Sequence, residues 1–253
     1  MSNNNKMLWL RGVDADKHAA AKLLADTGEY GAAIELLRDA IQEVQNSADG
    51  RRDRPSVQDA SHIVSDCLFR SSKHEECCQC LEYSCVNTLV PPDDSYHKFI
   101  RGWLHYDARR FVESRQIARD LVDALDPGSS LELYGMSLRL LGMSYCNLGK
   151  MKMAFIYLRD AAAIFRVIHN KDQFIVALCS LGIAEKRSGS LERARGYYAE
   201  ALPLLDDSIA KRRRLQVFLG LSVVLYKMGK LDEAVRYSRK ARECLVAVSY
   251  THL

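Results

Sequence analysis

Three glycines, Gly149, Gly189 and Gly229, recur at a fixed interval of 40 residues, and the same phrase surrounds each. Leu141-Gly142 precedes Gly149, with Met151, Ala154 and Ala161 following it. Leu181-Gly182 precedes Gly189, with Leu191, Ala194 and Ala201 following. Leu221-Ser222 precedes Gly229, with Leu231, Ala234 and Ala241 following. A fixed internal period of this size constrains the fold more than any other feature. Each unit buries its apolar face only against its neighbours, so the chain stacks as a solenoid.

The clearest unit spans 131–166. Tyr134, Leu138, Leu141 and Tyr145 form one apolar stripe at helical spacing. Asn147-Leu148-Gly149-Lys150 is a turn in which Gly149 supplies the left-handed cap that ends a helix. Ala154, Leu158, Ala161 and Phe165 then share one face of a second helix. Gly142, Ala154 and Ala161 are small enough for the paired helices to approach closely.

This unit resembles the tetratricopeptide repeat, a helix-turn-helix motif. That pattern places Leu-Gly and an aromatic in the first helix, Gly at the turn, and a bulky residue between two Ala in the second. The last three units follow it closely. Glu185 and Leu225 stand where Tyr145 supplies the aromatic, and Ser222 replaces Gly. The period exceeds the usual one of about 34 residues, which implies helices longer by a turn or so, as in long-repeat arrays of bacterial regulators. Earlier units are more degenerate. Thr27-Gly28-Glu29-Tyr30-Gly31-Ala32-Ala33 reads as a turn and second-helix start. Ser72 to Cys77 and Ala108 to Phe111 fit the same slot, with Cys77 and Ser114 as the small residues. The turns then fall at 28, 72, 109, 149, 189 and 229, in units of 14–47, 56–88, 94–125, 130–168, 171–206 and 211–246. The expected fold is therefore all-α: an α-solenoid of six helix pairs in a right-handed superhelix. Pro91-Pro92-Asp93-Asp94 and Asp126-Pro127-Gly128-Ser129 offer caps between units, and the polar run 46–55 reads as an exposed insertion.

A net charge of +4 with 27% charged residues gives no concentrated basic face for nucleic acid. No stretch reaches the roughly 18–20 apolar residues of a membrane span. Met7-Leu8-Trp9-Leu10 is too short for a signal peptide. The eight cysteines are accordingly read as reduced thiols of a cytoplasmic chain.

Cys67, His74, Cys77, Cys78, Cys80 and Cys85 lie at short spacing, and Cys77 to Cys80 is a Cys-x-x-Cys step. Only one well-spaced pair is present, and Cys77 already fills a small-residue slot, so core burial is the preferred reading over zinc. Lys211-Arg212-Arg213-Arg214 reads first as a solvated helix start. Phosphate-cradling glycine loops, His-Glu-x-x-His and nucleophile elbows are missing from the sequence. No enzyme activity, cofactor or metal is expected.

What the resemblance implies is a concave groove lined by first helices that receives a protein or peptide. By repeat register the groove residues are Tyr96, Phe99, Trp103 and Tyr106, then Arg139, Met143 and Asn147, then Ile183, Lys186 and Arg187, then Tyr226 and Lys227. This mixed, moderately basic set suits an acidic or amphipathic peptide; homodimerisation stays open. The resemblance favours the sensor or interaction part of a bacterial regulatory protein. The alternatives are the regulatory half of a diguanylate cyclase or histidine kinase and a stand-alone scaffold or co-chaperone. Asn147 and Lys186 are single candidates for a chaperone's carboxylate clamp, without the full set. Residues 247–253 are expected to be a non-native or disordered tail. The final six match what a common transposon-end sequencing adapter encodes, so the native gene is expected to continue.

Overall fold

The computed structural model describes residues 20–21, 23–25, 31–36, 63–64, 77, 94–128, 130–206, 209 and 211–249. The chain divides into two compact units, Met1–Leu104 and His105–Leu253. All regular structure among the described residues is helical, as the repeat period predicts.

In the first unit residues 31–36 are helical and Ala33 and Ile34 are buried, in keeping with the second-helix start expected there. Val64 and Cys77 are also buried helical residues. Helix α1 (Ser95–Asp107) begins at the predicted cap: Asp94 Oδ1 accepts the His97 backbone N–H at 2.8 Å. The insertion at 46–55, the turns at 28 and 72, and Cys67, His74, Cys78, Cys80 and Cys85 lie outside the described residues.

The second unit continues with α2 (Phe111–Ala124), α3 (Leu131–Asn147), α4 (Met151–Val167), α5 (Lys171–Arg187), α6 (Leu191–Ala201), α7 (Lys211–Lys227) and α8 (Leu231–Ser249). Four of these helices, α3, α4, α5 and α7, run 17 residues each, the lengthening that a 40-residue period requires. Pro203 removes a backbone donor after α6, and the chain passes through a 3₁₀ turn at Leu202–Leu204. Ser130 caps α3, its Oγ accepting the Leu133 N–H at 3.3 Å. At α5, Asn170 Oδ1 accepts the Gln173 N–H at 3.0 Å. The last helix extends through Ser249, past the unit end expected at 246, and residues 250–253 lie outside the description.

The turns repeat one hydrogen-bond scheme. Lys150 N–H bonds Tyr145 C=O, Ser190 bonds Glu185, and Lys230 bonds Leu225 at 2.9–3.0 Å, closing each first helix five residues back. Gly149, Gly189 and Gly229 occupy the left-handed position at φ 75–84°. The degenerate third turn uses the same closure, Arg110 N–H to His105 C=O at 2.9 Å, with Arg109 forced to φ 60°.

From α2 onward each helix contacts its sequence neighbour, and the first helices α3, α5 and α7 also touch in series. The difference shows in burial. Flanked on several sides, α3 and α5 are buried nearly all round, from Gly135 to Cys146 and from Gln173 to Glu185 with few breaks. The second helices bury one stripe each: Ser114, Ala118 and Leu121 on α2; Ala154, Leu158, Ala161 and Phe165 on α4; Ala194, Tyr198 and Ala201 on α6. A Cβ on Gly142 would lie 2.7 Å from Leu158 Cγ, so this glycine sets the approach of α3 to α4. The two departures from the aromatic position are both buried. Leu225 is apolar there, while Glu185 pairs with Arg193 at 3.3 Å.

Candidate functional site

Successive first helices align their side chains with a neighbour vector of 41 residues, one more than the repeat. Three polar contacts of the second unit obey it. Asn147 Nδ2 donates to Tyr106 Oη at 2.6 Å. Arg187 Nη1 reaches Cys146 C=O at 3.5 Å. Arg213 binds Asp172 in a fork, Nε to Oδ1 at 3.0 Å and Nη2 to Oδ2 at 2.9 Å. At Lys186 and Lys227 the same vector brings two like charges into electrostatic reach. Partial burial lowers the Lys186 pKa first, and Lys227 and Arg187 lower it further, against a small opposing effect of Cys146.

The residues expected to line a groove separate into three groups. Arg187, Tyr226 and Lys227 are exposed, Tyr226 by 68%. Tyr106, Arg139, Asn147, Ile183 and Lys186 are half-buried. Asn147 also donates to Met143 C=O at 3.0 Å, which fixes it beside Tyr106. Burial pushes the Tyr106 phenol up, while the Asn147 hydrogen bond opposes that shift.

The third group is a correction. Phe99 is 3% exposed, Trp103 9% and Met143 6%, so these three side chains offer no surface to a ligand. In the first unit the aromatic stripe is a ladder, Tyr96 to Phe99 at 6.1 Å and Phe99 to Trp103 at 6.4 Å between ring centroids. Tyr96 is half-buried at its start. His97, Ile100, Gly102 and Leu104 are buried too, so α1 is covered around most of its girth rather than presenting one open face. On α3, Met143 lies in the run that is buried nearly without a break.

Arg139 is recessed on the face of α3 toward this set. Loss of hydration lowers its pKa to about 9, Arg213 pushes the same way, and Tyr106, Asp172 and Cys179 oppose. A group titrating there remains a cation at neutral pH. Arg139 and Arg213 thus share the field of Asp172, with Lys186, Arg187 and Lys227 as a second cationic cluster. The pair Asp172 and Arg213 escaped the sequence reading. Their separation of 41 is a signal that would have found it, once the neighbour vector was separated from the repeat length.

Part of the basic run is committed to structure. Arg213 holds Asp172, and Arg214 donates to the Asp206 carbonyl. Thiol chemistry finds no support on this face. Burial pushes Cys179 up to about 12 and raises Cys146, so both stay protonated near neutrality. Among the described residues no group of three or more His, Cys, Asp or Glu is arranged to hold a metal. No described helix is long and apolar enough to cross a membrane.

Residues 133–207 match the family model of the tetratricopeptide repeat. No curated protein matches the sequence. Among solved structures the chain is similar to the Rap conjugation gene regulator of plasmid pLS20 in complex with the Phr* peptide. That likeness has a TM-score of 0.64 at 15% identity and covers 92% of this chain and 75% of that one. It is also similar to BtubC from P. vanneervenii, with a TM-score of 0.61 at 13% identity over 85% of this chain and 91% of that one. Aspartyl phosphate phosphatase F from Bacillus subtilis gives 0.60 at 11% identity over 92% and 74%. At these identities the likeness is one of fold.

Proposed function

From the premise that this chain carries tetratricopeptide repeats in an all-α helical-repeat fold, we propose that it is a non-catalytic protein- or peptide-binding module whose partner presents an acidic segment to the second unit. The observation that carries this reading is the placing of Lys186 and Lys227 at the 41-residue vector, within electrostatic reach of each other, with Arg187 beside them. Elsewhere the 41-residue vector joins donor to acceptor. Here it joins cation to cation, an arrangement that costs stability in the free protein and is relieved by an anionic ligand. The recessed Arg139 and the Arg213–Asp172 fork extend the positive field along the same series of first helices. Ile183 and Tyr226 supply apolar contact between and beside the charges.

A regulatory role follows as the favoured context, because one structural relative is named a conjugation gene regulator and is seen with a peptide. The phosphatase named among the relatives shares the fold at 11% identity, a likeness that brings no activity with it.

Calorimetric titration with short poly-glutamate and poly-lysine peptides tests the reading. Poly-glutamate is expected to bind, weakening as salt rises, and the Lys186→Glu/Arg187→Glu double variant is expected to abolish it. Absence of poly-glutamate binding, or binding indifferent to the double reversal, would overturn the proposal.

A further inference from the structure

The seam between α7 and α8 holds an open hollow of about 430 Å³. Ser222, Val223 and Tyr226 line it from α7, and Leu231, Val235 and Ser238 from α8. Its origin is legible in the repeat register. Forty residues before Ser238 stands Tyr198, and forty before that Leu158. Both are fully buried, and both plug the seam of their own helix pair, Leu158 against Gly142 and Tyr198 against Gly182. In the last pair the plug is a serine that leaves the seam open. The rim around it is apolar and accessible: Tyr226 is 68% exposed, Leu231 57% and Val235 50%.

We propose that this hollow receives an aromatic side chain from the acidic peptide that binds the cationic face, so that the missing plug is supplied by the ligand. The inference rests on the peptide-binding reading and adds the anchor to it. Two observations point to this occupant. The space corresponds by register to one that the Tyr198 ring fills a repeat earlier, so a six-membered ring matches what this seam takes. The hollow also adjoins the charged residues along α7. Tyr226, at its edge, is followed directly by Lys227, whose charge reaches Lys186. A peptide with its ring in the seam therefore carries its flanking carboxylates to Lys227, Lys186 and Arg187. A second copy of the chain is the poorer match, since Lys227 and Lys230, which flank the hollow in sequence, would meet their own counterparts.

Two unlabelled poly-glutamate peptides, identical except for a central Phe or a central Ala, are titrated into the full chain by calorimetry. The Phe peptide is expected to bind about tenfold tighter, the size of an ordinary aromatic hot spot. Ser238→Tyr, which restores the plug, is expected to erase that difference while leaving the Ala peptide unaffected. Ser238→Leu, the residue found at the equivalent of Leu158, is the smaller plug should the tyrosine variant misfold. Equal binding of both peptides to the unaltered protein would overturn the anchor and leave the acidic reading standing. Failure of both to bind would overturn the two together. A concentration-dependent dimer that Ser238→Leu disperses would assign the hollow to a second copy and overturn the proposal.

Discussion

The ring of Tyr198 occupies the place that a Cβ on Gly220 would need, 2.3 Å from its Cε1. These residues belong to successive repeats, Tyr198 on the second helix of one and Gly220 on the first helix of the next. One repeat earlier the equivalent residues are Leu158 and Ser180, a smaller plug facing a larger neighbour. Size lost at one position compensates size gained at the other. Gly220→Ala is therefore expected to cost about 1–3 kcal/mol by overpacking, seen as a lower urea midpoint. Combining it with Tyr198→Leu recovers part of the loss, and the double-mutant cycle shows the coupling. Additive losses would mean that the two residues do not share this space.

Arg109 holds the turn conformation that Gly149, Gly189 and Gly229 hold at the other closures, with φ at 60°. A side chain in this region costs about 1–2 kcal/mol, part of which glycine returns through the greater freedom of its unfolded chain. Arg109→Gly is expected to stabilise the protein by roughly 0.5 kcal/mol. The opposite change, Gly189→Ala at φ 84°, is expected to destabilise by about 1 kcal/mol. Chemical denaturation of both variants checks the sign, and a stabilising alanine at 189 would contradict the shared turn geometry.

The repeat was legible because its cues are local. A glycine that ends a helix, and small residues at fixed offsets, need no knowledge of what lies across the interface. That is why Arg109 could be placed at a turn without a glycine to mark it. The side of a helix that meets solvent is a different matter. On α1 the aromatic stripe is as compatible with a core as with a groove, and burial of His97 and Gly102 on its other faces had no sequence mark. The polar ties Asp172 to Arg213 and Asn147 to Tyr106 depend on how successive helices are offset, which the repeat length alone leaves one residue short.

Trp103 makes this concrete. Only 9% exposed, it belongs to the interior, and Trp103→Ala is expected to cost about 3–5 kcal/mol. The loss appears in thermal unfolding followed by far-ultraviolet circular dichroism. Were the variant to melt like the parent and lose only ligand affinity, the side chain would have to be surface after all.

Lys227→Glu separates the needs of folding from those of binding. It turns the like-charge influence on Lys186 into an attractive one, which raises the Lys186 pKa toward its ordinary value. In the parent, folded Lys186 gives up its proton at a lower pH than unfolded Lys186 does. The unfolded state then binds more protons across that alkaline window, so stability rises as pH climbs from the lowered pKa to the usual lysine value. The variant is expected to flatten this rise. Near neutrality and at low salt it is expected to be more stable by a fraction of 1 kcal/mol, a gain that high salt removes. Its affinity for poly-glutamate is expected to fall at the same time. Such opposed changes are what a cation retained for a ligand produces, because the charge that costs stability in the free protein is the one that contributes affinity. Urea titrations at several pH values, run beside calorimetry on the same samples, read both effects. A variant that loses stability, or one that binds the peptide as well as the parent, would remove Lys227 from the binding face.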